Sequence, residues 1–226
     1  MSNIEQDAAA YPFIHPQSAI IAGATKTGKT TLIKKLLTQP EVMFKPALQK
    51  VIYVYSVWQD IYSELEAFWG NSIVFRESIP SRAELLEVSQ SKEYIALILD
   101  DKQSALKNPE IADFVCVLCS HRNISTFILV QNFYYDSKVL RTITLNVQTI
   151  ILFKNRRSQQ QVKTLAGQLC PGNTKFVMDS YFKAISQSNY SYLVIDLDPR
   201  GNALHQFRTN IFPDEITIVF TPETSS

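Results

Sequence analysis

The junction running from Ser18 to Leu37 constrains the fold of this chain more than any other stretch. Ser18-Ala-Ile-Ile-Ala22 is a short apolar run bounded by turn residues, which predicts a buried strand. In Thr31-Leu-Ile-Lys-Lys-Leu-Leu37 the residues Leu32, Ile33, Leu36 and Leu37 share one helical face, and Pro40 ends that helix. Between them stands Gly23-Ala-Thr-Lys-Thr-Gly-Lys-Thr30, with the glycine and lysine spacing of a phosphate-binding loop. The two glycines let the backbone curl so that successive N–H groups point at phosphate oxygens, and the helix N-terminus adds its partial positive charge. A strand feeding a helix through such a loop predicts an α/β protein.

The rest of the pattern agrees. Val51-Ile-Tyr-Val-Tyr55, Ser72-Ile-Val-Phe75, Tyr94-Ile-Ala-Leu-Ile-Leu99, Ser125-Thr-Phe-Ile-Leu-Val130 and Val147 to Phe153 read as further strands. Helices are expected from the capping box Ser81-Arg-Ala-Glu84 to about Val88, from Asn108-Pro109 to about Ser120, and over about 158–169 and 174–187. Pro171-Gly172-Asn173 separates the last two. Tyr192-Leu-Val-Ile195, a Pro199-Arg-Gly-Asn202 turn and Ala203 to Arg208 predict a closing hairpin. Apolar strands joined by helices imply a mostly parallel sheet covered on both faces, with its ligand site beyond the strand carboxyl ends. Residues 1–17 read as a loosely structured N-terminal extension, 18–220 as a phosphate-loop ATPase domain and 221–226 as a flexible tail.

Charge and cysteine content narrow the function. With 22 Lys+Arg against 21 Asp+Glu the net charge is +1, which excludes a broadly basic nucleic-acid coat, so any nucleic-acid contact must be local. Lys154, Arg156, Arg157, Lys163, Lys175 and Lys183 make the C-terminal third locally basic. No apolar run reaches the ~18–20 residues of a membrane span, and the acidic start lacks the apolar core of a secretory signal. Three scattered cysteines make no disulfide framework, so a reducing, intracellular setting is expected. Cys116 and Cys119 have metal-ligand spacing, but they read as core thiols because no second pair exists and the histidines at 15, 121 and 205 form no cluster.

The candidate site follows from the loop. Gly23, Ala24, Thr25, Lys26, Thr27, Gly28, Lys29, Thr30 and Thr31 are expected to bind the phosphates of ATP, Lys29 reaching the β/γ-phosphates and the Thr30 hydroxyl reaching Mg2+. Asp100 and Asp101 close an apolar strand, Asp100 as the Mg2+ residue and Asp101 as the group that orients or deprotonates the attacking water. Many such ATPases carry glutamate where Asp101 stands. Gln131, at the end of a later strand, is placed to sense the γ-phosphate or to position water. Arg122, Arg141, Arg156 and Arg157 are candidates for an arginine finger supplied by a neighbouring subunit. Lys26 reads either as a built-in cation for the γ-phosphate or as a solvent-facing loop residue.

Several strings carry a family resemblance. They are Phe13-Ile-His-Pro16, the phosphate loop, Gln49-Lys-Val-Ile-Tyr-Val-Tyr-Ser-Val-Trp-Gln59, Leu97-Ile-Leu-Asp-Asp101, Ser120-His-Arg-Asn-Ile-Ser125, Val130-Gln-Asn132 and Arg141-Thr-Ile-Thr-Leu-Asn146. Leu152-Phe-Lys-Asn155, Pro171-Gly-Asn-Thr-Lys-Phe176 and Arg208-Thr-Asn-Ile-Phe-Pro213 continue them. Together, over about residues 12–215, the chain resembles viral genome-packaging ATPases of the FtsK–HerA superfamily. The nearest are those of Polinton/Maverick elements and adintoviruses, relatives of the poxvirus, adomavirus and virophage enzymes. It departs from that pattern at Lys26, at Ser120-His121 where the family has two histidines, and at Asn155-Arg-Arg-Ser158.

The resemblance implies an additional-strand, RecA-like P-loop fold and hydrolysis of ATP with Mg2+. It also implies a homo-oligomeric ring, hexameric or pentameric, that moves double-stranded DNA into a preformed capsid at its vertex or portal. The expected setting is the infected host cell, in the nucleus or a viral factory, with association to the virion. Arg122 moves ahead of Arg141 and Arg157 as the trans-acting finger. Two rivals remain at this stage: a nucleotide kinase or other small P-loop NTPase not coupled to DNA, and a nucleotide-holding structural protein of the capsid vertex.

Overall fold

In the computed structural model, which describes residues 3–7, 11–109, 111, 119–132 and 138–222, the apolar runs pair into one sheet. Its parallel part is β3 (Ser18–Ala22), β5 (Lys50–Val54), β6 (Ile73–Arg76), β7 (Ile95–Asp100), β8 (Ile124–Val130) and β9 (Thr149–Phe153). β10 (Tyr192–Asp196), β11 (Phe207–Thr209), β12 (Thr217–Thr221) and β1 (Asn3–Asp7) add an antiparallel wing beyond β9. The order across the ten strands is β1-β12-β11-β10-β9-β3-β8-β7-β5-β6. β8 thus lies between β3, which carries the phosphate loop, and β7, which carries the acidic pair, the additional-strand arrangement of a P-loop NTPase. β2 (Phe13–Ile14) and β4 (Phe44–Lys45) form a short separate pair.

The alternation of side chains along β3 supplies both cores. Ala19 and Ile21 face one side, packed with Leu32, Ile33, Leu36 and Leu37 of α1 (Lys29–Leu37) and Tyr62 and Leu65 of α3 (Ile61–Trp69). Ile20 and Ala22 face the other, packed with Ile143 of α5 (Lys138–Asn146), Val162 and Leu165 of α6 (Gln159–Leu169) and Val177 and Tyr181 of α7 (Thr174–Ser186). α2 (Pro40–Met43) starts on the proline that closes α1. α4 (Arg82–Val88) has the capping box its sequence predicts, Ser81 and Glu84 each satisfying the other's backbone N–H.

Several expectations are corrected. Residues 11–17 are not loose: Phe13, His15 and Gln17 are buried. The His15 ring lies 2.6 Å from Ser125 Oγ and 2.7 Å from the Asn123 carbonyl, and Gln17 donates to Thr149 Oγ1, so this segment clamps the amino ends of β8 and β9. Burial lowers the His15 pKa, so the ring is held neutral and serves as a structural hydrogen-bonding group. The closing hairpin continues into β12, which reaches Thr221, and β1 pairs beside it, so the sheet extends past both expected boundaries. α3 and α5 were not foreseen. The helix expected from Asn108 to Ser120, with Cys116, falls largely on residues 110 and 112–118, outside the described residues. Cys119 is buried, and burial pushes its thiol up to about 11, as expected of a core cysteine.

Phe220 of β12 is 2% exposed and packs against the same core as Ile20. Phe220→Ala is expected to lower unfolding free energy by about 3–5 kcal/mol in urea denaturation; a loss under about 1 kcal/mol would place β12 outside the cooperative core.

Candidate active site

The phosphate loop leaves β3 at Gly23, which has no room for a side chain. A Cβ there would stand 2.5 Å from Phe153 Cβ and 2.9 Å from Thr27 Oγ1. Gly28 serves differently: its φ of +104° is the left-handed turn that starts α1. Thr27 Oγ1 donates to the Ala24 carbonyl at 2.8 Å, and the Lys29 ammonium donates to the carbonyls of Gly23 and Ala24 at 2.8 and 2.9 Å. These bonds engage the carbonyls of Gly23 and Ala24, whose own N–H groups donate to the carbonyls of Val130 and Lys154, and leave the loop N–H groups beyond Ala24 for an anion. Lys26, at φ 65°, is exposed on the rim.

Asp100 ends β7 at 6% exposure. Its Oδ2 accepts from the hydroxyls of Thr30 at 3.2 Å, Tyr53 at 2.9 Å and Tyr62 at 3.1 Å. Gln59 donates in turn to the Tyr62 hydroxyl at 3.0 Å. Burial raises the Asp100 pKa, against the pull of the three hydroxyls and the Lys29 charge. Burial lowers the Lys29 pKa, opposed by the charges of Asp100 and Asp101. Each ion is thus destabilised by loss of water and supported by the other.

Asp101 is exposed in the left-handed region at φ 56°, its carbonyl accepting from Ser56 Oγ at 2.9 Å. The Gln131 amide donates to its carboxylate at 3.3–3.4 Å, so the proposed water-handling pair is already joined. Behind Gln131, buried Asn155 donates to the Gln131 carbonyl at 3.0 Å and to Asn132 Oδ1 at 3.2 Å, while Ser158 Oγ donates to Asn132 Oδ1 at 2.7 Å. The Asn155 backbone N–H donates to the Tyr181 hydroxyl at 3.2 Å.

Thr25, Lys26, Gly28, Lys29, Thr30 and Thr31 meet Asp100, Asp101, Gln131 and Gln59 around a cleft of about 390 Å3. Arg122 is not part of it. It is exposed at the amino end of β8, and the seven residues of that strand at ~3.3 Å each put it roughly 20 Å from its own cleft. Arg156 and Arg157 are exposed just past β9, on the edge that holds the loop, where the Lys154 carbonyl accepts from Ala24 N at 3.5 Å. Arg141 is exposed on α5. The sequence reading missed Tyr53, Tyr62, Gln59 and the bracing role of Asn155.

Among the described residues, no group of three or more His, Cys, Asp or Glu side chains forms a metal site. The Thr30 hydroxyl and Asp100 carboxylate are a hard-oxygen pair of the kind that holds Mg2+ together with substrate phosphates, and the buried charge of Asp100 would gain a counter-ion there. No helix of the described residues is long and apolar enough to cross a membrane.

No protein-family model and no curated protein matches the chain. The genome packaging NTPase B204 from Sulfolobus turreted icosahedral virus 2, solved with ATP-gammaS, superposes with a TM-score of 0.54 at 15% identity, covering 80% of this chain and 93% of that one. The KaiC-like protein PH0186 from Pyrococcus horikoshii OT3 gives a TM-score of 0.48 at 12% identity over 92% of this chain and 91% of that one. The first likeness establishes a shared P-loop fold.

Because the folded pKa of Asp100 lies above its unfolded value, this residue's contribution to stability is full below the ordinary carboxylate range and is lost as pH rises through the folded value. Asp100→Asn is therefore expected to make the nucleotide-free protein more stable than wild type at pH 7.5 in denaturant titration, with the difference shrinking as pH falls toward the carboxylate range. The same variant should lose about a hundredfold or more in Mg2+-dependent ATP hydrolysis. An unchanged or lower stability at neutral pH would show that the three hydroxyls outweigh burial.

Proposed function

We propose that this chain is an Mg2+-dependent ATPase that works as a homo-oligomeric ring, hexameric or pentameric, and drives viral double-stranded DNA into a preformed capsid at its vertex or portal. The hydrolytic part rests on one observation: Lys29, the Thr30–Asp100 pair and the Asp101–Gln131 pair meet in one cleft around the phosphate loop. The translocating part is supported by the string of motifs that resemble FtsK–HerA packaging ATPases and by the fold shared with B204. The setting would be the infected cell, in the nucleus or a viral factory, with the motor associated with the virion.

In this reading the loop N–H groups and Lys29 hold the β- and γ-phosphates. Thr30 and Asp100 would hold Mg2+, which would neutralise charge developing on the phosphate oxygens. Asp101 accepts a proton from the attacking water, the Gln131 amide aligns it, and the products are ADP and inorganic phosphate. Arg122 is too far to serve its own cleft, so its role is in that of a neighbouring copy. The state of the γ-phosphate passes from Gln131 through Asn155 to Arg156 and Arg157, which follow Asn155 directly and offer positive charge to DNA phosphates.

The test is ATP turnover by the full chain with Mg2+, with and without long double-stranded DNA. Hydrolysis stimulated by DNA and abolished by Lys29→Ala is expected; turnover indifferent to DNA, or phosphoryl transfer to a nucleoside monophosphate, would overturn the motor reading. Arg122→Ala should lose about a thousandfold in turnover, and mixing it with Lys29→Ala should restore part of the activity, since each supplies what the other lacks. Full activity of the Arg122→Ala protein alone would remove the trans finger.

A further inference from the structure

The phosphate cleft does not end at the loop. Gly28 and Thr31, which line it, also line a second hollow of about 400 Å3 on the other side of the α1 N-terminus. That volume lies within the ~300–1,000 Å3 of small-molecule sites. The hollow is walled by aromatic rings. Phe153 and Tyr192 are buried with ring centroids 5.3 Å apart, and Phe212 closes the floor under the Lys35 ammonium at 4.1 Å. Tyr190 differs from these. It is 67% exposed, yet its ring comes within 3.3 Å of where a Cβ on Gly28 would stand. An exposed aromatic ring thus stands against Gly28 of the phosphate loop, in a wall otherwise completed by buried rings.

The polar end of the hollow is Lys35 with Glu215. Lys35 donates to Asp214 at 3.1 Å and to Glu215 Oε1 at 2.8 Å. Glu215 Oε2 is buried and has no hydrogen-bond partner among the described residues. An acceptor left so costs free energy until a donor reaches it. The terminal torsion of a glutamate is soft, so a turn of the carboxylate presents this oxygen to the hollow.

We propose that this hollow is the base subsite of the nucleotide, in which adenine stacks on Tyr190 and offers its exocyclic amine to Glu215. The proposal rests on the phosphate-loop reading and adds to it the residues that hold and select the base. Continuity points to the occupant: Gly28 and Thr31 line both hollows, so a group attached to phosphates seated on Gly28 and Lys29 that leaves the loop past Thr31 meets the aromatic wall. The single unengaged carboxylate oxygen selects the base. Adenine presents one amine; guanine presents two adjacent donors and calls for two acceptor oxygens, one of which Lys35 already occupies. Hypoxanthine puts a carbonyl oxygen where the amine would be, facing the carboxylate.

The experiment is calorimetric titration of the full chain with ADP, IDP and pyrophosphate in the presence of Mg2+, none of which the chain can turn over as ATP. ADP is expected to bind about tenfold or more tightly than pyrophosphate. Tyr190→Ala should weaken ADP binding by about 5- to 100-fold and leave pyrophosphate unchanged, while Tyr190→Phe keeps the wild-type preference. Wild type should prefer ADP to IDP by about tenfold, and Glu215→Gln, whose amide can donate to a carbonyl, should erase that preference. Equal ADP and pyrophosphate affinities, or a Tyr190→Ala effect of the same size on both, would overturn the base subsite while leaving the phosphate loop standing. Equal ADP and IDP affinities in wild type would overturn the role of Glu215. Failure of both ADP and pyrophosphate to bind would overturn the phosphate-loop reading itself, and the base subsite with it.

Discussion

Three hydroxyls from three different elements converge on one buried carboxylate oxygen, and the site depends on that convergence. Thr30 comes from α1, Tyr53 from β5 and Tyr62 from α3, and all end on Asp100 Oδ2 at the carboxyl end of β7. A carboxylate so deep would be expelled or neutralised without donors. With them it is held in one orientation and stays poorly compensated, which is the condition under which an arriving cation gains most. Rigid placement and residual electrostatic cost come from the same burial. The phosphate loop and the acidic strand, 70 residues apart in sequence, are thereby fixed to each other before any nucleotide enters.

The sheet divides the molecule into two ends. At the carboxyl ends of the strands lie the loop, the acidic pair and the Asn155 brace. At the amino ends lie Arg122 and the His15–Ser125–Gln17 clamp. β8 joins the two ends without interruption: Arg122 stands just before it, Gln131 just after it, and its seven residues are all buried. Along its length it is hydrogen-bonded to both neighbours, β3 and β7, so the two ends are connected by paired strand and not by a loop.

The fold was legible where local pattern decides it. The phosphate loop between strand and helix, the apolar run ending in Asp100-Asp101, the capping box at Ser81 and the helices after Ser158 and Asn173 all carry their signals within a few residues. What escaped depends on partners far away in sequence. Tyr53 and Tyr62 read as aromatic filler, because nothing local says that their hydroxyls end on a carboxylate 47 and 38 residues away. His15 and Gln17 read as part of a polar leader, yet their partners lie 110 and 132 residues on. Asn155 opens the string Asn155-Arg-Arg-Ser158, where the chain departs from the resembling family after the asparagine, and nothing local says that its amide ends on the backbone of Gln131. β12 carries a strand-like string, Thr217-Ile-Val-Phe-Thr221, but its place beside β11 and β1 is a matter of topology.

The backbone at position 101 accounts for a choice of side chain. At φ 56° this residue sits in a region that aspartate and asparagine enter several-fold more often than longer or branched residues. A glutamate here would extend one methylene farther into the cleft, and would have to hold a strained backbone to do so. The chain has the shorter acid and, across from it, a glutamine whose amide already touches its carboxylate. Reach that another enzyme would build into one side chain is divided here between two, so the acid and the amide form a single functional unit whose members have to be exchanged together.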